Sequence, residues 1–169
     1  MNENPFDLSG KVAVVTGTSR GLGQYMGRAL AKAGADLVIT SRHKDTLAEF
    51  QSEIEGLGRK ALSLELDVQD YGSIQRMVDA ALGHYDKIDI LVNNAGCNRR
   101  KPALEVTWED WDVVVNTNLR GTFFVAQAVA RHMIPRNYGR IINIGSVTCV
   151  AGYARSEERR VGKECATGC

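Results

Sequence analysis

Apolar positions along the chain fall into short runs, separated by longer stretches in which apolar residues return every three or four positions. The runs at 12–16, 36–41, 61–67, 88–92 and 140–145 read as strands, and each intervening stretch can form a helix. This alternation predicts a parallel sheet. Leu22, Met26, Ala29, Leu30 and Ala33 fall on one face of the first helix, and Gly34 follows as its C-terminal stop. Gly27 inside that helix costs about 1 kcal/mol relative to alanine, so it is expected to allow close packing against the sheet. Later helices are expected over 45–57, 71–82 and 108–133, the last broken near 118–121. No repeat or low-complexity linker interrupts the pattern.

The turn between the first strand and the first helix carries the most chemistry. Thr16-Gly17-Thr18-Ser19-Arg20-Gly21-Leu22-Gly23 follows Val12-Ala13-Val14-Val15 and opens the helix. Gly17 allows a tight turn, Gly21 leaves room for a pyrophosphate beside the backbone, and Gly23 allows close contact of helix and strand. The unpaired N–H groups and positive dipole end of such a helix face an anion. A glycine triplet alone is also compatible with an ordinary strand-to-helix turn. Placed after the first strand of an α/β pattern, it reads as a nucleotide site.

Composition narrows the class. With 169 residues, 44% apolar content and a net charge of +1, the chain suits one soluble domain and does not resemble a dedicated nucleic-acid binder. The amino end lacks a basic patch followed by an apolar core, and no apolar run nears the roughly 18 residues of a membrane span. A cytoplasmic protein is expected. Cys97, Cys149, Cys165 and Cys169 show no metal-ligand spacing and read as free thiols.

Residues 16–23 match the Thr-Gly-x-x-x-Gly-x-Gly pattern of the short-chain dehydrogenase/reductase family, which the chain resembles over residues 6–154. Asn93-Asn94-Ala95-Gly96 after the fourth strand is the more specific match. Asp67 with Val68, Asn118 within Asn116-Thr117-Asn118-Leu119, and Ser146 after Ile142-Asn143-Ile144-Gly145 complete the series in the family's order. The resemblance implies a Rossmann-type doubly wound sheet, of which this chain holds about five strands in order 3-2-1-4-5, with a nicotinamide dinucleotide across the switch point. Gly17, Ser19, Arg20, Gly21, Leu22, Gly23, Asn94, Ala95 and Gly96 would border that cofactor. Asp67 and Val68 would flank the adenine, although an aspartate at a strand end is often only a helix cap.

An acid at the end of the second strand would repel a 2′-phosphate, and that position is Ser41. Arg42 beside it and Arg20 in the glycine loop suit a phosphate, which favours NADP over NAD. The other reading of both arginines is solvated surface charge. Catalytic roles also come from the resemblance. In the family a tyrosine hydroxyl exchanges the proton that accompanies hydride transfer, and a lysine four residues later lowers its pKa. A serine binds the substrate oxygen, and an asparagine carbonyl holds a relay water. Ser146 and Asn118 match the last two.

The tyrosine is expected at position 159, where the chain has Arg159; Lys163 does stand four residues later. Tyr153 comes too soon after Ser146 to replace it. From Arg155 to Cys165 the sequence matches the in-frame translation of a common sequencing-library adapter. Residues 155–169 are therefore expected to be an artefact tail behind a partial dinucleotide-binding domain, 1–154; the alternative is a genuine charged helix. On this reading the chain is incomplete, catalytically inactive and poorly soluble, with an isoleucine-rich edge at 140–145 and an uncovered Phe123-Phe124 face. The intact protein is expected to be a homotetramer or dimer.

Arg99-Arg100-Lys101, after the Asn-Asn-Ala-Gly segment, place three cations where a substrate carboxylate would be met, with Arg99 and Arg100 as candidate contacts. A solvated basic loop is the plain alternative. Together with 141–148, this segment resembles the gluconate 5-dehydrogenase branch of the family. Rival readings are a 3-oxoacyl-[acyl-carrier-protein] reductase and, outside enzymes, a non-catalytic dinucleotide sensor. Neither a metal, a membrane nor a nucleic-acid partner is expected.

Overall fold

The computed structural model describes residues 5–146. Five parallel strands, β1 (Val12–Val15), β2 (Asp36–Ser41), β3 (Ala61–Glu65), β4 (Ile90–Asn93) and β5 (Arg140–Asn143), form one sheet in the order β3-β2-β1-β4-β5. The helices between them are α1 (Leu22–Lys32), α2 (Ala48–Gly56), α3 (Tyr71–Tyr85), α4 (Trp108–Val115) and α5 (Thr122–Met133). The expected doubly wound order is thus realised in full. β1 pairs with β2 from Val12 opposite Asp36, and with β4 from Ala13 opposite Ile90.

The continuous apolar runs of β1 and β2 follow from burial on both faces. Val12, Val14, Val38 and Leu91 pack toward Ile74, Met77 and Val78 of α3 and Val125 and Val129 of α5. Ala13, Val15, Leu37 and Ile39 point the other way, toward Ala31 of α1 and Phe50 and Ile54 of α2.

α1 corrects the periodicity reading. Its buried residues are Gly23, Gly27 and Ala31, whereas Leu22 is 57% exposed and Ala29 is also exposed. A stripe of small residues brings this helix close to its neighbours, and the larger apolar side chains flank it. At Gly27 a Cβ would lie 2.8 Å from Phe50 Cζ and 3.6 Å from Leu37 Cδ1. The close approach is therefore chiefly to α2, with the sheet behind it. Gly34, at φ 107°, ends the helix as expected.

Several boundaries differ for local reasons. β4 begins at Ile90, just after Asp89, whose carboxylate accepts the Val12 N–H at 3.0 Å in addition to backbone bonds with Val12 and Arg140. It runs on to Asn93, which faces Asn143 in register. β3 stops at Glu65 and β5 at Asn143, short of the expected ends. α3 extends past Leu82 until Asp86 takes a left-handed φ of 61°. The stretch 108–133 stays helical; at Asn116–Gly121 it widens into a π-helical segment instead of breaking. Gly121 makes room for that segment, since a Cβ there would lie 2.7 Å from the Val68 carbonyl oxygen.

Candidate functional site

The C-terminal ends of the strands open into a cleft of about 700 Å³. Its floor is the loop after β1. Gly17 adopts φ 71°, and a Cβ there would lie 2.9 Å from Ala95 Cα, so the loop after β4 seats directly on the glycine turn. Thr16 locks the two loops together. Its buried hydroxyl accepts the N–H of Asn94 at 3.0 Å and of Ala95 at 2.9 Å. The Asn94 side-chain amide answers by donating to the carbonyls of Thr16 (2.9 Å) and Gly17 (3.0 Å).

Gly23 has a different role from the expected contact with a strand. A Cβ at this position would collide with the Gly17 carbonyl oxygen and lie 2.7 Å from Asn94 Nδ2. It therefore lets the first turn of α1 close over the glycine loop itself. Nothing stands within 4 Å of the place a Gly21 Cβ would take, so the backbone there is open to approach. The N–H groups of Gln24 and Tyr25 donate back to the Gly21 carbonyl at 3.1 and 3.3 Å, and the start of a helix is where an anion is favoured. Such a floor suits the pyrophosphate of a dinucleotide.

One end of the cleft is the corner after β2. Ser41 is buried, and its Oγ accepts the His43 N–H at 3.2 Å. The Thr46 hydroxyl lies 2.6 Å from the His43 carbonyl oxygen and 3.1 Å from Ser41 Oγ, tightening the turn. Arg20, Arg42 and His43 line the cleft around this corner. Neither arginine makes an ion pair among the described residues. Asp67 and Val68 form the neighbouring wall. The cap of α3 is Asp70, which accepts the N–H groups of Gly72 and Ser73, so the helix-cap alternative for Asp67 fails. Asp67 instead accepts the Gln69 N–H at 2.9 Å through one carboxylate oxygen.

At the other end lie Gly96, Cys97, Asn98 and Arg99. Cys97 is a free thiol, as expected, and the other three cysteines lie outside the described residues. Asn118 holds this loop in place from the π-helical segment. Its Oδ1 accepts the Cys97 N–H at 2.9 Å, and its Nδ2 donates to the Cys97 carbonyl at 2.8 Å. Wide helical turns of this kind recur at functional sites.

Gly17, Ser19, Arg20, Leu22, Gly23, Ser41, Arg42, Asp67, Val68, Asn94, Ala95, Gly96 and Arg99 all line the one cleft. Arg100 is not among the lining residues. Lys101 is tied to Asp110, whose carboxylate also accepts the Thr107 N–H in a capping box at the start of α4. Arg99 lines the cleft together with its neighbours Cys97 and Asn98. Asn118 and, beyond β5, Ser146 are both exposed and outside the lining. Tyr153, Arg159 and Lys163 are outside the described residues.

Sequence reasoning passed over Thr16, Thr40, His43, Thr46 and Gln69. Thr16 had a readable signal, a buried hydroxyl-bearing residue at a strand end beside the first glycine. Thr46 had none, because its role depends on how the corner folds back. Among the described residues no group of three or more His, Cys, Asp or Glu is placed to hold a metal, and no helix is long and apolar enough to cross a membrane.

Comparison with known proteins bears on this arrangement. The family profile described as short chain dehydrogenase matches residues 11–157. Gluconate 5-dehydrogenase of Gluconobacter oxydans (strain 621H) is 46% identical over 142 residues, covering 84% of this chain and 56% of that protein. The 2-dehydro-3-deoxy-D-gluconate 5-dehydrogenase of Escherichia coli (strain K12) is 46% identical over 151 residues, covering 89% and 59% respectively. The chain thus spans somewhat over half the length of these curated relatives. A crystal structure of a gluconate 5-dehydrogenase from Burkholderia cenocepacia J2315 in complex with NADP and tartrate superposes with a TM-score of 0.82 at 38% identity, over 96% of this chain and 68% of that one.

Proposed function

Because the chain belongs to the short chain dehydrogenase family, we propose that its cleft binds NADP and serves the interconversion of an alcohol and a ketone on a sugar acid, gluconate and 5-ketogluconate being the pair of choice. The observation that carries the cofactor assignment is the corner after β2. Arg20 and Arg42 line it, and the buried Ser41 stands where a carboxylate would repel a 2′-phosphate. The similarity to a structure solved with NADP supports the same reading.

When bound, the nicotinamide supplies or takes up the hydride. The chain's own residues position and polarise. The glycine loop and the start of α1 receive the pyrophosphate. Arg99 at the far end receives the substrate carboxylate, in keeping with the sugar-acid names of the relatives. Ser146 is assigned the substrate-oxygen hydrogen bond and Asn118 the carbonyl that holds a relay water. The Asn118 side chain, committed to Cys97, keeps that helix turn against the cleft. With Arg159 at the position of the acid–base tyrosine, the chain as it stands binds cofactor without turning it over.

Calorimetric titration of the chain with NADPH and NADH tests the cofactor. Two exposed charge pairs predict a dissociation constant about tenfold lower for NADPH; equal affinities overturn the assignment. Gluconate titrated into the NADP-saturated chain is expected to bind, and to stop binding in Arg99→Ala but not in Arg100→Ala. Absence of gluconate binding would remove the sugar-acid reading, and steady NADPH oxidation with 5-ketogluconate would refute the loss of turnover.

A further inference from the structure

We propose that a second cavity, beside the dinucleotide cleft, is a binding site for a small planar aromatic carboxylate. It measures about 510 Å³ and is lined by Val68, Gln69, Tyr71, Ile74, Arg120 and Phe124. Tyr71 and Ile74 come from α3, Arg120 from the π-helical segment and Phe124 from α5. Ile74 and Val68 are buried, and Tyr71 is half-exposed. The Tyr71 and Phe124 rings meet edge to face at 5.8 Å, and Phe124 meets Phe123 in the same way at 5.3 Å. Two aromatic rings beside two aliphatic side chains suit a flat apolar body.

The charged side chain that borders this cavity is a cation. Arg120 is exposed and its guanidinium makes no ion pair or hydrogen bond among the described residues. The acids adjacent in sequence to the lining residues are committed elsewhere. Asp67 accepts the Gln69 N–H, and Asp70 accepts the N–H groups of Gly72 and Ser73 and pairs with Arg76. An unpaired guanidinium at an apolar cavity selects a carboxylate, which it holds through two parallel hydrogen bonds. Val68 and Gln69 also line the dinucleotide cleft, and they are the only lining residues the two cavities share. That common wall is firmly seated, since a Cβ at Gly121 would lie 2.7 Å from the Val68 carbonyl oxygen. Both cavities can therefore be occupied at once.

The probe is 2-naphthoate, titrated calorimetrically into the full chain with and without saturating NADPH, alongside the uncharged 2-naphthalenemethanol. Expected is a naphthoate site that persists when NADPH is present. Arg120→Gln should weaken naphthoate about fivefold, the scale of one exposed charge pair, and leave 2-naphthalenemethanol unchanged. Tyr71→Ala should weaken both probes, by about the same factor. Exclusion of naphthoate by NADPH would place the probe in the dinucleotide cleft and overturn the proposal, as would an affinity indifferent to Arg120→Gln. Naphthoate affinity that falls as the chain is concentrated would show a second copy covering the cavity, and overturns it too. Arg120 has no partner to lose, so the thermal melt of Arg120→Gln should match wild type, and Arg120→Lys should keep part of the affinity that the glutamine variant loses. Arg120 and Tyr71 stand outside the dinucleotide cleft, so failure here leaves the NADP reading standing.

Discussion

Gly23 has no room for a methyl group, because the Gly17 carbonyl and the Asn94 amide occupy the space. Both groups are already bonded to each other, so neither can yield without opening the loop that forms the cleft floor. Gly23→Ala is expected to cost about 1–3 kcal/mol by overpacking and to weaken NADPH binding by at least an order of magnitude. Gly83 is the contrast: it sits in α3 with nothing within 4 Å of a new Cβ. Gly83→Ala should raise stability by about 0.5–1 kcal/mol and leave affinity unchanged. Thermal melts and NADPH titrations of the two variants check both halves; a tolerated Gly23→Ala would show that the loop is softer than its contacts imply.

Among the elements, the lower ends of β1, β4 and β5 converge on Asp89. Its carboxylate is ion-paired with Arg136 and Lys87 and accepts the Val12 N–H, while its own backbone bonds Val12 and Arg140. Burial alone would push this carboxyl up, but Arg136, the Val12 N–H and Lys87 together outweigh it and hold it below the ordinary carboxylate value. A carboxyl lowered in the folded state stabilises above its unfolded pKa, and that contribution disappears as pH falls through the folded value. Asp89→Asn is therefore expected to lose about 2 kcal/mol at pH 7, less than a fully buried pair because Arg136 and Lys87 are each about one third exposed. Below about pH 4 the melting temperatures of variant and wild type should converge. Parallel melting curves across that range would show that the carboxylate is not the stabilising charge.

At the scale of the whole molecule, β5 is, among the described residues, an edge strand of the sheet, with Ile141, Ile142 and Ile144 exposed. Exposed isoleucines on an edge strand favour association. Ile142→Lys should raise the concentration at which light scattering begins while leaving NADPH affinity as it was; an unchanged threshold would point to another surface. Strand number, order and the glycine floor were legible in the sequence, because long-range order here follows short motifs in a fixed succession. The buried face of α1 was not, since periodicity weighs large apolar residues and this helix packs through Gly23, Gly27 and Ala31. The start of β4 at Ile90 was not legible, because the apolar run already begins at Ile88, and the course of the 99–101 loop was not, because the Lys101 tether depends on where α4 begins. The role of Thr46 could not be read at all, for it exists only once the corner has closed.

The amide of Asn94 bonds carbonyls 77 and 78 residues earlier in the chain. The glycine segment is synthesised early, yet it cannot hold its working shape until the fourth strand has emerged and paired with the first. Capture of the cofactor thus reports on completion of the central sheet: a nascent chain that stops short of Asn94 has the motif but not the site. Loop closure of that span is an entropic cost borne by the fold as a whole, and a ligand that binds only the closed form favours the assembled sheet by mass action.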